Sequence, residues 1–187
     1  HELRTPVATI SGWLELYRQG GLPADQIEQA LARIEDEVGR MRLLVDELGL
    51  LARLDTGRPL DDQPVDLVRL AESVVEDERV IYPDLDISLK VGATPPEIRG
   101  DAARLQQVLR NLVGNAVQHN PAGTRVELTI GTDGNNVQIR IADDGDGIAT
   151  EDVPRLFDRF WRADASRSRD YGGSGLGLAI VQAIVTS

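Results

Sequence analysis

The first third of the chain carries apolar residues at alternating steps of three and four, the spacing of one face of an α-helix. One run extends from Leu3 to Tyr17 and a second from Ile27 to Ala52, with a Gly-Gly-Leu-Pro break between them. The pattern predicts two helices joined by a turn, each with a heptad-like apolar seam. Two helices cannot cover both seams alone, so we expect two copies of the chain to form a four-helix bundle. The alternative is a helical hairpin packed on the rest of its own chain.

Beyond this region the periodicity alternates between helix and strand. A Gly/Pro/Asp-rich stretch over residues 57–63 predicts a linker between a helical domain, residues 1–56, and a second domain, residues 64–187. In the second domain a short strand leads into the helix of PVDLVRLAESVVEDERV, and Asp101 is the expected N-cap of DAARLQQVLRNLVGNAVQH. DISLKV, TRVELTI and NVQIRIA predict strands, the last two joined as a hairpin, and GLGLAIVQAIV predicts a final helix. Helices on one face of a mostly antiparallel sheet give an α+β fold, with an α/β sandwich after the helical hairpin.

Composition narrows the function classes. The 187 residues carry a formal net charge of -11 and neither domain has a basic excess, so we expect no direct nucleic-acid binding. The absence of cysteine excludes disulfide frameworks and Cys-based zinc sites. No apolar run approaches the ~20 residues of a membrane span. The chain starts without Met and ends within an apolar helical pattern, so we expect a fragment of a longer protein, with any membrane segments outside it.

Two amide side chains interrupt an otherwise apolar helix in NLVGNAVQH. Asn111 and Asn115 are four residues apart and therefore share one helical face. Amide oxygens are hard ligands that suit Mg²⁺, which keeps several positions for water and substrate phosphates. For either Asn alone, the alternative is a structural hydrogen bond to neighbouring backbone.

A strand runs directly into the acidic loop DDGDGI. The carboxylate of Asp143, at the strand end, can accept a hydrogen bond from an exocyclic amine such as that of adenine. Gly145 and Gly147 allow a tight turn and a close approach of the backbone. Calcium is the rival ligand, but no glutamate follows at the EF-hand distance.

A second glycine cluster, GGSGLGL, opens the last helix. Gly173, Gly175 and Gly177 leave backbone N–H groups and the positive helix end free for a phosphate. Tight packing is the alternative, and the absence of a surrounding βαβ unit excludes the Rossmann form. The arginine-rich stretch between the two glycine clusters predicts either a mobile lid over a polyphosphate or a solvated loop.

In this order and spacing, the motifs resemble those of the bacterial sensor histidine kinases of two-component systems. HELRTP is similar to the phosphoacceptor box, NLVGNAVQH to the asparagine box, DDGDGI and GGSGLGL to the two glycine boxes, and LFDRFWRAD to the phenylalanine box. The resemblance covers nearly the whole chain. It implies a dimerisation and histidine-phosphotransfer hairpin over residues 1–56, followed by a catalytic ATP-binding domain of the Bergerat (GHKL) type that is shared with DNA gyrase.

The resemblance also implies the nucleotide-binding residues. Asn115 would hold Mg²⁺ with support from Asn111, and Asp143 would bind the adenine amine. The remaining residues expected around ATP are Gln118, His119, Gly145, Gly147, Ile148, Gly173, Gly175, Leu176, Gly177 and Leu178. The sequence departs from the family in having Gln118 where Lys or Arg is usual and His119 where an aromatic residue is common. It also ends before two closing strands that the family normally adds, so we expect the domain to be incomplete at its C-terminus.

The opening HELRTP has two interpretations. In one, Thr5 is the N-cap of a helix, Pro6 is its first residue and His1 is left from an expression tag. In the other, which the resemblance favours, His1 is the phosphoacceptor, Glu2 orients its imidazole and takes its proton, and Thr5 positions a water for dephosphorylating the partner. Pro6 then predicts a kink that lets the helix flex beside the nucleophile.

The sequence thus predicts an ATP-dependent autokinase. ATP with Mg²⁺ would bind, and the phosphoryl group would pass in line to His1 and then to an aspartate in the receiver domain of a response regulator. Dephosphorylation of that regulator is a further expected activity. A gyrase-type ATPase or chaperone-like module and a catalytically silent dimeric scaffold remain as alternatives. The resemblance places the chain in the cytoplasmic part of a sensor anchored in the inner or plasma membrane.

Overall fold

A computed structural model describes residues 3–57, 59–92, 97–118, 120–134, 136–163 and 173–187. Short 3-10 turns in these ranges lie at Ala24–Gln26 and Val153–Arg155. The helices and strands, in chain order, are α1 (Arg4–Arg18), α2 (Ile27–Asp55), β1 (Gln63–Val65), α3 (Leu67–Ile81), β2 (Asp86–Val91), β3 (Ile98–Gly100), α4 (Ala102–Gln118), β4 (Arg125–Asp133), β5 (Asn136–Asp143) and α5 (Gly177–Thr186).

Helices α1 and α2 form the hairpin that the apolar seams predict. Leu3 occupies the N-cap position of α1, so the interpretation of Thr5 as the N-cap is wrong. The Thr5 carbonyl instead accepts a hydrogen bond from the Thr9 hydroxyl at 3.1 Å. Pro6 lies in the first turn, where helical N–H groups lack an acceptor within the helix, so its missing N–H costs α1 nothing there. The kink predicted at Pro6 would arise from crowding against the preceding turn, which includes residues 1 and 2. These two residues lie outside the described ranges, so the kink stays a prediction.

The second half of the described chain is the predicted α/β sandwich. Helices α3 and α4 pack on a three-stranded sheet with the order β2-β4-β5, and their shared core is aliphatic. Both helices begin at an aspartate: Asp66 accepts from the Arg69 N–H at 3.0 Å, and Asp101 accepts from the Arg104 N–H at 3.1 Å. The predicted N-cap of α4, Asp101, is thus confirmed, whereas the capping of α3 by Asp66 is not among the predictions from the sequence.

The sheet is less antiparallel than the sequence suggests. The hairpin of β4 and β5 is antiparallel as predicted, but β2 runs parallel to β4. The reason is the crossover connection through α4. It returns the chain to the end of the sheet at which β2 begins, so that β4 can pair with β2 in parallel. A separate antiparallel ribbon joins β1 to β3, a strand of three residues that is too short to show a periodicity of its own.

A second apolar core joins the two halves of the molecule. Leu50, Leu51 and Leu54 at the end of α2 pack with Leu176 and Ile180, which lie at and within the start of α5. Within the described residues, this core packs the end of α2 against the second half of the chain. Elsewhere along the hairpin, large apolar seam residues remain exposed; they are Leu3, Val7, Leu14, Tyr17, Leu31, Val38 and Val45. No helix within the described ranges combines the length and apolarity needed to cross a membrane.

Candidate nucleotide-binding site

Helix α4 presents the two asparagines in different environments. The Asn111 side chain donates a hydrogen bond from Nδ2 to the Gly177 carbonyl, at 3.0 Å, and so ties α4 to the start of α5. This is the backbone hydrogen bond that the structural alternative predicts for Asn111, and the predicted support of Asn115 stays a prediction. Asn115 is half-buried one turn further along, and it has no hydrogen-bond partner among the described residues. Its amide is available to a ligand.

Asp143 and Asp144, where β5 ends, make different hydrogen bonds. Asp144 closes the base of the hairpin, since its Oδ1 accepts from the Arg125 N–H at 2.7 Å and its own N–H donates to the Arg125 carbonyl at 3.2 Å. Asp143 keeps an exposed carboxylate, and its Oδ1 accepts from the Gly145 N–H at 3.2 Å. Gly147 has a φ of 73°, a conformation that favours glycine. Ile148 follows with its side chain 57% exposed.

Asn120 joins this loop to α4. Its Nδ2 donates to the Ala116 carbonyl at 2.7 Å, and its side-chain amide lies directly over Gly145. A Cβ at residue 145 would overlap that amide. Asn111 on α4 contacts the second glycine cluster, and Asn120, just after α4, contacts the first. These two asparagines therefore connect both clusters that the sequence marks for a nucleotide.

The second glycine cluster packs against the phenylalanine-containing segment. Gly175 has a φ of 69°, and a Cβ there would lie 2.9 Å from both Cα and C of Phe160. The Phe160 N–H donates to the Gly175 carbonyl at 2.9 Å. The Leu176 N–H donates to the Ser174 hydroxyl at 3.1 Å, which tightens the turn into α5. The tight packing that the sequence offers as an alternative is therefore present at this cluster, and the binding of a phosphate there stays a prediction.

The other predicted site residues differ in how far they are buried. The Leu176 side chain is fully buried in the second core, so only its backbone can face a nucleotide, and Leu178 is half-buried on α5. Gly173 is exposed, and Gln118 is half-buried at the end of α4. The predictions for His1, Glu2 and His119, and for residues 164–172 of the arginine-rich stretch, lie outside the described residues.

Arg155 and Arg159, in the arginine-rich stretch, form ion pairs. Arg159 Nη2 lies 2.8 and 2.9 Å from the two carboxylate oxygens of Asp55, the last residue of α2. Arg155 pairs with Asp158 at 3.8 Å, and its guanidinium lies 5.7 Å from the ring centroid of Trp161. This arginine-containing segment therefore makes ion pairs both with the hairpin and within itself.

Glu47 on α2 has a shifted pKa, and Ser174 of the second glycine cluster contributes to that shift. Burial raises the pKa of Glu47, and the Ser174 side chain opposes that rise only in part. Among the described residues its Oε2 is a buried side-chain atom without a hydrogen-bond partner. Sequence reasoning misses this residue because it looks like any other polar position of a helix.

The raised pKa of Glu47 predicts a pH-dependent stability. Because the folded chain holds this proton more tightly than the unfolded chain, the stabilisation is complete below the ordinary pKa of 4.5 and is lost as the pH rises through the folded-state pKa. Glu47→Gln removes the ionisation while keeping an acceptor for Ser174. We expect its melting temperature at pH 7 to exceed that of the native chain by about 2 °C or less, because solvent screens a half-exposed group.

Thermal unfolding of both proteins between pH 4 and pH 8 measures this difference, which should vanish at the acid end. Glu35→Gln, at an exposed position of the same helix, is the matched control and should leave the profile unchanged. A Glu47→Gln variant that melts below the native chain at pH 7 would show that the ionised carboxylate stabilises the interface.

Comparison with known proteins identifies the class. Residues 1–57 match the His Kinase A (phospho-acceptor) domain, and residues 100–187 match the family of histidine kinase-, DNA gyrase B-, and HSP90-like ATPases. The solved structure of the histidine kinase AdeS from Acinetobacter baumannii has a TM-score of 0.80 at 28% identity, over 100% of this chain and 86% of that one. The mycobacterial sensor histidine kinase MprB has a TM-score of 0.57 at 30% identity, over 67% of this chain and 78% of that one.

Two curated relatives come from Mycobacterium tuberculosis. The chain is 45% identical over 185 residues to the probable sensor histidine kinase TcrY, covering 99% of this chain and 39% of that protein. It is 45% identical over 192 residues to the sensor histidine kinase TrcS, covering 99% of this chain and 37% of that one. The chain thus belongs to the sensor histidine kinases of two-component systems and spans less than half the length of these relatives. The match over residues 1–57 separates it from the gyrase-type proteins that share its ATP-binding family.

Proposed function

We propose that this protein is an ATP-dependent histidine kinase, which phosphorylates His1 and passes the phosphoryl group to an aspartate in the receiver domain of a response regulator. One observation carries the proposal: Asn111 on α4 contacts the second glycine cluster and Asn120, just after α4, contacts the first, in a chain whose residues 1–57 match the phosphoacceptor domain. We assign the hairpin to residues 1–56, the linker to residues 57–63 and the ATP-binding domain to residues 64–187.

The match to an ATPase family over residues 100–187 indicates that the bound nucleotide is ATP. The exposed Asp143 carboxylate accepts a hydrogen bond from the adenine amine, with Ile148 against the ring. Gly173, Gly175 and Gly177 offer backbone N–H groups and the positive end of α5 to the phosphates.

Asn115 is the proposed protein ligand for Mg²⁺. Its amide has no hydrogen-bond partner in the described part of the chain, which leaves the oxygen free for a hard cation. The described residues hold no group of three or more His, Asp or Glu that could bind a metal, which fits Mg²⁺ because this ion takes most of its ligands from phosphates and water. Mg²⁺ would neutralise the charge that develops on the phosphates.

The proposed chemistry at the hairpin follows from the residue types. The unprotonated ring nitrogen of a neutral His1 imidazole attacks the γ-phosphorus in line, the bond from that phosphorus to the β–γ bridging oxygen breaks, and ADP leaves. Glu2 orients the ring and accepts the N–H proton of its other nitrogen. Thr5, exposed in the first turn of α1, is four residues from His1 and is proposed to position a water when the regulator is dephosphorylated.

The proposed partners are a second copy of the chain and a receiver domain. The exposed apolar seam of α1 and α2 supports a dimeric four-helix bundle, since isolated helices with heptad seams associate to bury them. A crystal structure of the histidine kinase ThkA in complex with the response regulator protein TrrA has a TM-score of 0.69 at 21% identity, over 87% of this chain. That assembly supports a receiver domain as the partner here.

Labelling with γ-³²P-ATP tests the proposal. In the longest available form of the protein, we expect label that is lost in acid and kept in alkali, as befits phosphohistidine, and that moves to an added receiver domain. Release of free phosphate without any protein label would favour a gyrase-type ATPase. Failure to bind ATP at all would favour a catalytically silent scaffold.

A further inference from the structure

The proposed function gives the side chain of Asn120 no role in binding ATP or in phosphoryl transfer. It lies just after the last turn of α4, half-buried, with its Nδ2 held by the Ala116 carbonyl at 2.7 Å. The same amide lies over Gly145, in the loop that follows β5. The two walls of the nucleotide site are thus joined by one short, anchored side chain.

This contact explains why residue 145 is a glycine. The φ of Gly145 is outside the left-handed region, so the backbone there suits any residue. A Cβ at this position would nevertheless fall 2.5 Å from Cγ of Asn120, and closer still to its Oδ1. The side chain of Asn120 is short and hydrogen-bonded to α4, so it has little freedom to move away.

The geometry connects Asn120 to the Asp143 carboxylate. The Gly145 N–H donates to Asp143 Oδ1 at 3.2 Å, so a shift of residue 145 moves the donor that orients this carboxylate. We propose that Asn120 is a positioning residue for adenine recognition, which fixes the 143–145 turn against α4 and thereby aims Asp143. The inference rests on the proposed function, because it assumes that Asp143 binds the adenine amine.

The expected effects are on affinity and on base preference. Without Asn120, the turn loses its support and Asp143 loses its fixed direction. We expect Asn120→Ala to weaken ATP binding by about three- to tenfold, the effect of losing roughly one hydrogen bond. The preference for ATP over GTP should fall as well, because the Asp143 carboxylate accepts from the amine of adenine, whereas guanine presents a carbonyl at that position.

A double-mutant cycle gives the sharpest test. Gly145→Ala in the native background should reduce ATP binding strongly, because its Cβ meets the Asn120 amide. Asn120→Ala removes all three atoms of that close contact, so Gly145→Ala should add little further loss in that background. Calorimetric titrations with ATP and GTP measure all four proteins, and Asn136→Ala, at the far exposed end of β5, is the matched control.

Two outcomes would overturn the inference. In the first, Asn120→Ala binds ATP as tightly as the native chain, with the same preference over GTP. In the second, Gly145→Ala is as damaging in the Asn120→Ala background as in the native one, which would mean that the glycine is needed for nucleotide approach. If Asn120→Ala does not fold, Asn120→Ser decides by the same measurements. A native chain that binds no ATP would overturn the proposed function itself.

Discussion

Replacing His1 by glutamine is expected to abolish acid-labile labelling from γ-³²P-ATP. Glutamine keeps a polar side chain of similar length but has no ring nitrogen that can attack phosphorus, so the phosphoryl group has no acceptor. The affinity for ATP should stay close to native, because the proposed nucleotide contacts are made by α4, α5 and the loop after β5. Filter-retained label and calorimetric ATP titration, on the same preparation, separate these two effects.

The chain offers a matched control for this experiment. It contains two histidines, and His119→Gln removes the other one. Because His119 belongs to the proposed ATP site, the control can alter affinity, but at saturating ATP it should keep its label. Acid-labile label that persists in His1→Gln, or disappears only in His119→Gln, would assign the phosphoacceptor to a different residue.

Replacing Gly175 by alanine should cause the largest loss of stability among these variants. The residue has a φ of 69°, which L-residues adopt at a cost of about 1 kcal/mol or more. The new Cβ would also lie 2.9 Å from two backbone atoms of Phe160, which cannot move aside as a flexible side chain would. Strain and overlap together should lower the free energy of unfolding by about 2–4 kcal/mol. ATP binding should weaken too, since the shift acts on the glycine cluster and on the Phe160 hydrogen bond.

Gly20 allows the two contributions to be separated. It also has a φ of 69°, but no atom lies within 4 Å of the Cβ that alanine would add. Gly20→Ala should therefore show the conformational strain without the overlap, and it lies in the turn after α1, away from the nucleotide site. Urea unfolding and ATP titration of both variants give the comparison. Equal losses of stability, with ATP binding unchanged in both, would mean that the contact with Phe160 is unimportant.

The end of α2 contacts the segments that carry the second glycine cluster and the phenylalanine-containing motif. Burial raises the pKa of Glu47 against the opposing effect of Ser174, and Asp55 pairs with Arg159 of the phenylalanine-containing segment. Between Glu47 and Asp55, Leu51 is buried in the core that α2 shares with α5. A movement of α2 relative to the second domain therefore changes the surroundings of the glycine cluster directly.

Much of this architecture could be predicted from local pattern. The steps of three and four identify both hairpin helices, and the aspartate before α4 identifies its start. Asp143 could be singled out because it ends an apolar strand and precedes a glycine-containing turn. Such features depend on neighbours within a few residues, and local periodicity records them.

The sequence by itself determined the order of the helices and strands apart from β3, the family and the residue types of the proposed site. Only the tertiary structure decided that β2 runs parallel to β4, that Asp55 pairs with Arg159 across 104 residues, and that the Asn120 amide lies over Gly145. These features join segments far apart along the chain, where a residue's partner depends on how whole elements pack and leaves no periodic trace in the sequence.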